Sequence, residues 1–384
     1  MQFMDELERA MTKEYLRILT DEERRLLEEN HFEQKTFEQL RERYRQGNWT
    51  AKDNQIKGTV ELPEKGDIEP LTDYDSEEGR RLAEIGREAL AAGEVGALVL
   101  NGGMATRFGG VVKGCVDVFD DICFLGLKLA DATNHGSPVP VLLMNSFATD
   151  EKTKRHLESR DYYGFPRDQL ITYTQNISMR LTPEGEIFRT EQGDTLYAPG
   201  HGDVAEATRR AALDEFRDRG GKYLLMSNVD NVLATLDPVV VGTHINAVQS
   251  RGVEMTAEVV DNQGSTTGGM PARVDSELQI VEAFRFPENF DASSIPVYNT
   301  NTFMFNADAL DQDFDLTWFV VEKTVQERPA IQFERLAGQL SAFLSSQLVQ
   351  VPRKGTKSRF LPIKRREDLE ENRGFLRRAV EAKA

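Results

Sequence analysis

The stretch VGALVLNGGMATRFGGVVKG, residues 95–114, places an apolar strand directly before a glycine-rich loop. The strand predicted over 95–101 is a continuous apolar run, which is typical of a parallel strand covered on both faces. Ligands bind at the carboxyl ends of such strands, so the loop from Gly102 onward enters the expected binding crevice. The stretch therefore predicts an α/β fold and the position of its site.

Strands and helices alternate through the middle of the chain. Continuous apolar strands are predicted over 139–145, 170–175 and 223–228. Helices are predicted over 124–134, 149–158 and 203–219. This alternation indicates a doubly wound, Rossmann-like α/β sheet that is mixed but mainly parallel.

The remaining parts of the chain have other patterns. Helices are predicted within residues 1–47, a polar connector crosses the surface after them, and Ser76 is predicted to cap a further helix. Strands of more antiparallel character are predicted over 253–261, 278–286 and 298–306. Helices are expected after residue 307.

The 384 residues carry a formal net charge of −17, from 47 Lys and Arg against 64 Asp and Glu. This charge repels nucleic acid and anionic membranes, so we expect neither partner. Cys115 and Cys123 lack the spacing of a metal or redox site. No apolar run reaches membrane-spanning length, and the acidic start has no signal-peptide core. We therefore expect a cytoplasmic protein that meets anionic ligands with a local group of cations.

The glycine-rich loop allows several interpretations. A dinucleotide fingerprint needs GxGxxG at the start of a helix, and a Walker loop needs GxxxxGK before Ser or Thr; neither spacing occurs. The remaining functional interpretation is a loop whose backbone N–H groups approach a nucleoside triphosphate, with Arg107 and Lys113 adding positive charge. The alternative is that the glycines only shape a turn.

Polar residues end the strand predicted over 223–228, in the sequence SNVDN. Buried polar side chains are costly without partners. A hard cation shared with phosphate oxygens needs one or two carboxylates, so Asp230 is the predicted Mg²⁺ ligand and Asn228 is expected to contact sugar or metal. An ordinary Asx turn is the alternative.

Two further motifs carry groups that can meet phosphate. In PGHGD, residues 199–203, His201 lies just before a predicted helix, where backbone amides and an imidazole can bind an anion. A purely structural histidine is the alternative. The stretch RKGTKSRFLPIKRR, residues 353–366, has seven cations and no acid, and its FLP residues would anchor it to the core. A solvated charge run or a nucleic-acid surface are the alternatives there.

Six blocks in one order resemble the UDP-sugar pyrophosphorylase family, most closely its eukaryotic type that makes UDP-glucose. The first block is the glycine-rich loop. The others are residues 142–157, 197–207, 223–238, 298–306 and 358–369. Together they cover about residues 95–370, and the ordered series is far more specific than any single block.

The resemblance implies a nucleotide-diphospho-sugar transferase fold and a nucleotidyltransferase activity. UTP and a sugar 1-phosphate, with glucose favoured, would form a UDP-sugar and pyrophosphate with the help of Mg²⁺. It also divides the chain into a helical N-terminal segment with its connector (1–85), a catalytic domain (86–335) and a short C-terminal segment with the basic phosphate-binding stretch (336–384).

The resemblance also assigns roles to individual residues. The catalytic cations would be Arg107, Lys113 and Lys364, and Asp230 would hold the metal. The nucleotide-binding residues would be Leu100, Asn101, Gly102, Gly103, Thr106, Gln175, Gly200 and His201. The sugar-binding residues would be Asn228, Gly268, Gly269, Glu282, Asn299 and Asn301.

Two features depart from the family loop, which is roughly NGGxGTxxGxxxPKG. Ala105 replaces a glycine, and the chain between Gly109 and Lys113 is one residue shorter, with Val112 in place of proline. A non-catalytic relative that binds sugar nucleotides therefore remains an alternative, as do an N-acetylglucosamine 1-phosphate enzyme and a nicotinamide-dependent oxidoreductase. The family's C-terminal β-helix, which mediates oligomerisation, does not follow residues 366–369, so we expect a monomer.

Overall fold

A mixed eight-stranded sheet forms the centre of the computed structural model. The structure describes residues 14–47, 49–105, 111–119, 121–190, 193–264 and 267–383, with the backbone alone at 14, 104 and 105. In chain order, the strands are β1 (Val60–Glu61), β2 (Ile68–Pro70), β3 (Val95–Leu100), β4 (Met104–Ala105), β5 (Val111–Val112), β6 (Asp117–Phe119), β7 (Ile122–Cys123), β8 (Val141–Asn145), β9 (Leu170–Thr174), β10 (Ser178–Met179), β11 (Leu196–Tyr197), β12 (Tyr223–Asn228), β13 (Met255–Asp261), β14 (Gly269–Val274), β15 (Glu277–Glu282), β16 (Val297–Asn306), β17 (Phe319–Val325), β18 (Arg328–Glu334) and β19 (Ser346–Gln350). The α-helices are α1 (Glu14–Arg17), α2 (Asp21–Glu29), α3 (Gln34–Arg45), α4 (Glu77–Ala91), α5 (Phe124–Thr133), α6 (Asp150–Ser159), α7 (Val204–Ala211), α8 (Leu213–Asp218), α9 (Pro238–Arg251) and α10 (Arg366–Glu381).

The strand order confirms the predicted mixed, mainly parallel α/β sheet. The order is β2-β19-β13-β16-β12-β3-β8-β9. Neighbouring strands are parallel except where β16 pairs with β12 and with β13. Because β2 and β19 lie in the first and third predicted segments, the sheet draws strands from all three.

Helices cover both faces of this sheet. On one face, Val99 of β3 and Leu143 of β8 pack into a core with α4, α5, α9 and α10. On the other face, Leu98 and Met144 pack with Phe216 and other residues of α7 and α8. Side chains of one strand alternate between the two cores, which explains why the strands are continuous apolar runs in the sequence.

The N-terminal helices are confirmed in the described part of that segment. Thr20 begins α2 with a capping box: the N–H of Glu23 donates to Thr20 Oγ1, and the N–H of Thr20 donates to Glu23 Oε2. The buried side chains of Tyr15, Phe37 and Trp49 share a cluster with Phe333 of β18. Aromatic packing therefore attaches this segment to the rest of the chain.

Three predictions of local structure are wrong. The connector does more than cross the surface, because its strand β2 pairs with β19. The helix expected over 203–219 is divided into α7 and α8 at Ala212, whose φ is −142°. After residue 307, β17, β18 and β19 precede α10. The hairpin between β17 and β18 turns through Gln326 and Glu327, with φ of 47° and 63°, so no glycine marks it in the sequence.

The described residues can be compared with what the sequence predicts about its cysteines and about membrane-spanning segments. Cys115 and Cys123 are both free thiols. Cys123 is buried, and the hydroxyl of Tyr163 donates to its Sγ at 3.1 Å. Within the described ranges, none of the helices has the length and apolar character needed to cross a membrane.

We predict that Gly242→Ala destabilises the fold, because α4 and α9 cross with almost no space between their backbones. A Cβ at Gly242 would lie 1.9 Å from the carbonyl oxygen of Leu82. The shift needed to relieve this contact should lower the free energy of unfolding by about 1–3 kcal/mol, measured by urea denaturation.

The matched control for this prediction is Gly374→Ala on α10. There a Cβ would meet only Arg378 Nη1, at 3.7 Å. Alanine should therefore leave stability unchanged or raise it by up to about 1 kcal/mol. Equal stability of the two variants would show that the α4–α9 contact is not as tight as described.

Candidate functional site

A cavity of about 390 Å³ opens where β3 and β12 end. The two strands are parallel, with Leu100 opposite Asn228, so the loops that follow them begin side by side. The predicted site residues that line the cavity are Leu100, Gly102, Gly103, Lys113, Gln175, Gly200, His201, Asn228 and Asp230. The lining residues that the sequence does not indicate are Met144, Ala198 and Val229. Apolar side chains at strand ends look like core residues, so no local signal distinguishes these three.

Gly102 lies in close contact with the end of β9. A Cβ at Gly102 would lie 2.8 Å from Gln175 Nε2, so only glycine leaves the amide in place. The hydroxyl of Ser146 donates to the Gly102 carbonyl at 2.8 Å and holds the loop from the side of β8. The glycine-rich loop and Gln175 therefore form one wall of the cavity, while their predicted contact with a nucleotide stays a prediction.

Asn101 lies beside the cavity and does not line it. Its Nδ2 donates to Asn145 Oδ1 at 2.8 Å and to Thr153 Oγ1 at 3.0 Å, and the residue is 1% exposed. These bonds connect the end of β3 to β8 and α6. In this structure Asn101 thus supports the glycine-rich loop from behind, while its predicted contact with a nucleotide stays a prediction.

The loop that carries His201 packs against the backbone of Arg335. Gly200 has a φ of 88°, and a Cβ there would lie 2.4 Å from the carbonyl oxygen of Arg335. The N–H of Gly202 donates to that oxygen at 2.8 Å, and the N–H of Arg335 donates to the Pro199 carbonyl at 2.9 Å. The two glycines of PGHGD are therefore needed for this close approach.

His201 is a neutral imidazole. Burial lowers its pKa to about 4. The N–H of Ala337 donates to Nδ1 at 3.0 Å, so the neutral ring carries its proton on Nε2. The side chain can therefore donate one hydrogen bond to a ligand in the cavity without adding charge.

Arg335 supports this loop, and no sequence motif indicates its role. Its guanidinium donates to Asp203 Oδ1 at 2.7 Å, contacts Glu33 and Glu206, and stacks over the Trp318 ring at 4.2 Å. Burial raises the pKa of Asp203 to about 6, although Arg335 opposes the shift. The pairing depends on residues far apart in the chain, so periodicity and spacing cannot reveal it.

Lys113 and Asp230 meet in the wall of the cavity. The amino group of Lys113 donates to the carboxylate of Asp230, and both side chains are mostly buried. The predicted phosphate-binding cation and the predicted metal ligand are therefore in direct contact. Each can turn from its partner toward a ligand that carries phosphate and a metal ion.

The predicted sugar-binding residues form a connected group. Asn301 has a φ of 57°, and its Nδ2 donates to Asn228 Oδ1 at 3.0 Å. The N–H of Asn301 also donates to Asn299 Oδ1 at 3.0 Å. Gly269 pairs with Glu282 across β14 and β15. A Cβ at Gly269 would lie 3.1 Å from the Glu282 carboxylate and 3.4 Å from Asn299 Nδ2.

The glycine pair and Glu282 have distinct properties in this group. Gly268 has a φ of 96°, a conformation that favours glycine, and open space around it. Burial raises the pKa of Glu282 to about 7, although Arg285 opposes the shift. Near neutral pH, Glu282 can therefore donate as well as accept a hydrogen bond. Asn228 links this polar group to the cavity.

Lys364 lies next to the Asp230 loop without lining the cavity. The N–H of Ile363 donates to the Asp230 carbonyl at 3.5 Å, and the N–H of Leu361 donates to Asn231 Oδ1 at 3.1 Å. The Lys364 side chain is exposed. Its predicted contact with phosphate requires the side chain to reach over the edge of the cavity.

The basic stretch is less uniform than its sequence indicates. Arg359 is fully buried and forms a bidentate pair with Glu258, at 2.6 and 2.9 Å. Arg353 stacks over Tyr298, and Phe360 packs against the same ring. The expected anchoring through FLP is confirmed by the packing of Phe360. Five of the seven cations are exposed, as a surface patch requires, whereas the buried Arg359 and the stacked Arg353 do not belong to such a patch.

Thr106 and Arg107 lie outside the described residues, so their roles stay predictions. A group of three or more His, Cys, Asp or Glu side chains that could hold a metal ion does not occur in the described ranges. A single carboxylate such as that of Asp230 is compatible with Mg²⁺, because this ion commonly takes one or two carboxylates and completes its shell with phosphate oxygens and water.

Solved structures show which fold this is. The chain is similar to the UDP-N-acetylglucosamine pyrophosphorylase of Trypanosoma brucei, with 18% identity and a TM-score of 0.76 over 96% of this chain and 81% of that one. It is also similar to a mutant of the Leishmania major UDP-glucose pyrophosphorylase, with 24% identity and a TM-score of 0.69 over 88% and 75%. The fold is that of the UDP-sugar pyrophosphorylases.

Sequence comparison gives the family. The family model described as UTP–glucose-1-phosphate uridylyltransferase matches residues 34–373. The chain belongs to this family. It is 28% identical over 293 residues to the Pyrus pyrifolia UTP–glucose-1-phosphate uridylyltransferase, covering 71% of this chain and 60% of that protein. A probable Schizosaccharomyces pombe enzyme of that name is 28% identical over 301 residues, or 72% and 58%. The chain thus spans about 60% of the length of these relatives.

We predict that Glu282→Gln removes a pH-dependent loss of stability. Burial raises the folded pKa from 4.5 to about 7, so the folded protein keeps a proton that the unfolded chain has released. The contribution of Glu282 to the free energy of unfolding should therefore be fully present below the unfolded pKa and be lost as pH rises toward 7, by up to about 3 kcal/mol. Urea denaturation at a series of pH values measures the slope.

The exposed Glu277, at the other end of β15, provides the matched control for this prediction. Glu277→Gln should keep the wild-type pH profile, whereas the stability of Glu282→Gln relative to the wild type should increase as pH rises from 4.5 toward 7. If Glu282→Gln keeps the wild-type slope as well, Glu282 is not the buried acid responsible.

Proposed function

We propose that this chain is a nucleotidyltransferase that makes UDP-glucose and pyrophosphate from UTP and glucose 1-phosphate. The observation that carries the proposal is one cavity lined by the glycine-rich loop, Gln175, His201 and the Lys113–Asp230 pair. Membership of the family supports the same reaction. The chemistry that such a cavity serves is alignment of two phosphates and neutralisation of their charge.

In the proposed reaction, an oxygen of the sugar phosphate attacks the α-phosphorus of UTP in line. A new P–O bond forms while the bond to the departing pyrophosphate breaks. The attacking oxygen is already ionised at neutral pH, so no side chain has to remove a proton. The low pKa of His201 agrees with this, since a neutral imidazole serves as a hydrogen-bond donor and not as a source of charge.

The nucleotide would lie along the wall formed by Gly102, Gly103 and Gln175. The amide of Gln175 offers both a donor and an acceptor, which suits the imide edge of uracil. Gly200 would lie against the base and His201 near the phosphates. The backbones of these glycines allow an approach that a side chain would block.

Lys113 would leave Asp230 and neutralise the phosphates, with Lys364 and Arg107 as further cations. Asp230 would hold Mg²⁺, which supplies positive charge next to the phosphate oxygens when bound. On the sugar side, the linked amides of Asn228 and Asn301 are suited to bind hydroxyl groups. A protonated Glu282 could donate to a sugar oxygen, and an ionised one could accept from a hydroxyl.

A second candidate substrate is N-acetylglucosamine 1-phosphate. Similarity over 96% of this chain to a UDP-N-acetylglucosamine pyrophosphorylase favours it as the alternative. That similarity shows the fold alone, whereas the family model and the curated relatives carry the name of the glucose enzyme. Glucose 1-phosphate is therefore the proposed substrate.

The deciding experiment measures pyrophosphate release from UTP with Mg²⁺ and the 1-phosphates of glucose, galactose and N-acetylglucosamine. We expect the highest kcat/KM with glucose 1-phosphate. A preference for N-acetylglucosamine 1-phosphate would select the second candidate. UDP-sugar binding seen by calorimetry without turnover of any sugar phosphate would replace the enzyme with a non-catalytic binder.

We predict that Lys113→Ala lowers kcat by about 100-fold or more, because a cation that stabilises transition-state charge is lost. Lys364→Ala should also lower turnover by about two orders of magnitude for the same reason. Pyrophosphate release under saturating substrates measures both. Lys354→Ala, an exposed lysine in the same basic stretch, is the control and should keep the wild-type rate. A near-normal rate in either test variant would remove that lysine from the proposed machinery.

A further inference from the structure

A second cavity of about 650 Å³ lies behind the loop that carries Asp230, compared with 390 Å³ for the candidate site. The ends of α4 and α5, the start of α9 and the last described residues of the chain enclose it. Its walls include the apolar residues Leu90, Leu236 and Pro238. This cavity takes no part in the function proposed above.

The wall of this cavity has three Lys and Arg side chains and two acidic ones. Arg87, Lys357 and Lys383 line it, whereas the chain as a whole carries a net charge of −17. Burial lowers the pKa of Lys383 to about 7, so its positive charge is only partial at neutral pH. Arg87 and Lys357 pair with Glu84 and Asp75, whose side chains are 61% and 89% exposed. Such exposed pairs are weak, so both cations can turn to a ligand.

The two acids in the wall are already occupied. Asp237 Oδ1 accepts from the N–H groups of Val239 and Val240 at the start of α9, and its Oδ2 accepts from the Tyr74 hydroxyl at 2.8 Å. The carboxylate of Asp131 accepts from the N–H of Leu236 at 2.9 Å. Burial raises the pKa of Asp131, which weakens its repulsion of an anion.

His135 lines the same wall, but its Nε2 is buried away from the cavity surface and therefore does not serve as a contact for a ligand. The wall offers cations and apolar surface together.

Lys383 links this cavity to the loops of the candidate site. Its amino group donates to the carbonyl of Leu233 and to that of Ser358, both at 2.7 Å. Leu233 lies in the loop that begins at Asp230, and Ser358 lies in the stretch that leads to Lys364. A ligand that contacts Lys383 would therefore act on both segments.

We propose that this cavity is an effector site for a small organic anion with a phosphate or carboxylate head and an apolar body. The head would lie among Arg87, Lys357 and Lys383, and the body against Leu90 and Leu236. Binding would change the position of Asp230 relative to Lys364 and thereby change turnover. The effect on turnover rests on the function proposed above, whereas the binding itself does not.

The test uses para-fluorophenyl phosphate as the probe and fluorine NMR line broadening as the measurement. We expect the wild-type protein to broaden the probe signal, and saturating UTP to leave that broadening in place. The double variant Arg87→Gln/Lys357→Gln should weaken binding by about tenfold, because two charge contacts are lost. Both side chains are exposed, so the variant should fold.

Lys354→Gln is the matched control, since this lysine lies in the same stretch as Lys357 but does not line the cavity. It should bind the probe as the wild type does. Three results would overturn the site: no broadening with wild-type protein, displacement of the probe by UTP, or equal affinity in the double variant and the wild type. Para-fluorobenzoate, run in parallel, distinguishes a carboxylate from a phosphate preference.

Turnover tests the effector role separately. The probe should change the KM for UTP or glucose 1-phosphate by at least about twofold in the wild type and leave it unchanged in the double variant. Binding with no change in KM or kcat would overturn the effector role. Absence of turnover with any sugar phosphate would refute the proposed function, and the NMR measurement would still decide the binding site.

Discussion

The in-register pairing of β3 with β12 is the constraint on which the candidate site depends. Because Leu100 stands opposite Asn228 in parallel strands, the loops after them start at the same edge. The N–H of Val229 donates to the Leu100 carbonyl at 3.1 Å and joins the two loops at their origin. Lys113 and Asp230, on different loops, can then form an ion pair in a chain whose overall charge would repel a polyphosphate.

Two buried arginines hold the surrounding loops from behind. Arg359 pairs with Glu258 of β13 and donates to the Thr235 carbonyl at 3.0 Å. Arg335 pairs with Asp203 and supports the loop of His201. Desolvation offsets much of the attraction in such pairs, so they add little net stability. Their consequence is geometric, because they fix loops that lack regular hydrogen bonding of their own.

The pattern of apolar residues in the sequence predicts the central strands of the sheet, but it does not predict the strands at the edge formed by β19 and β2. The central strands are buried on both faces, so their residues are apolar whatever their neighbours, and their bounds follow from the sequence. β19 and β2 are strands because a partner strand stands beside them, and their short sequences carry no comparable pattern. The β17–β18 hairpin turns without glycine, and α7 ends at an alanine, so neither feature has a local marker.

For the site, the sequence by itself determined which residue types follow each strand: glycines after β3, and asparagine and aspartate at the end of β12 and just beyond it. These are local properties, because unpaired polar side chains are costly in the middle of a strand buried on both faces and therefore collect at its end. Only the tertiary structure decided that Asn101 supports the loop from behind, that Arg359 is buried, and that Arg335 holds the histidine loop. Those outcomes depend on which distant segments the order of the sheet brings together, and no single segment contains that information.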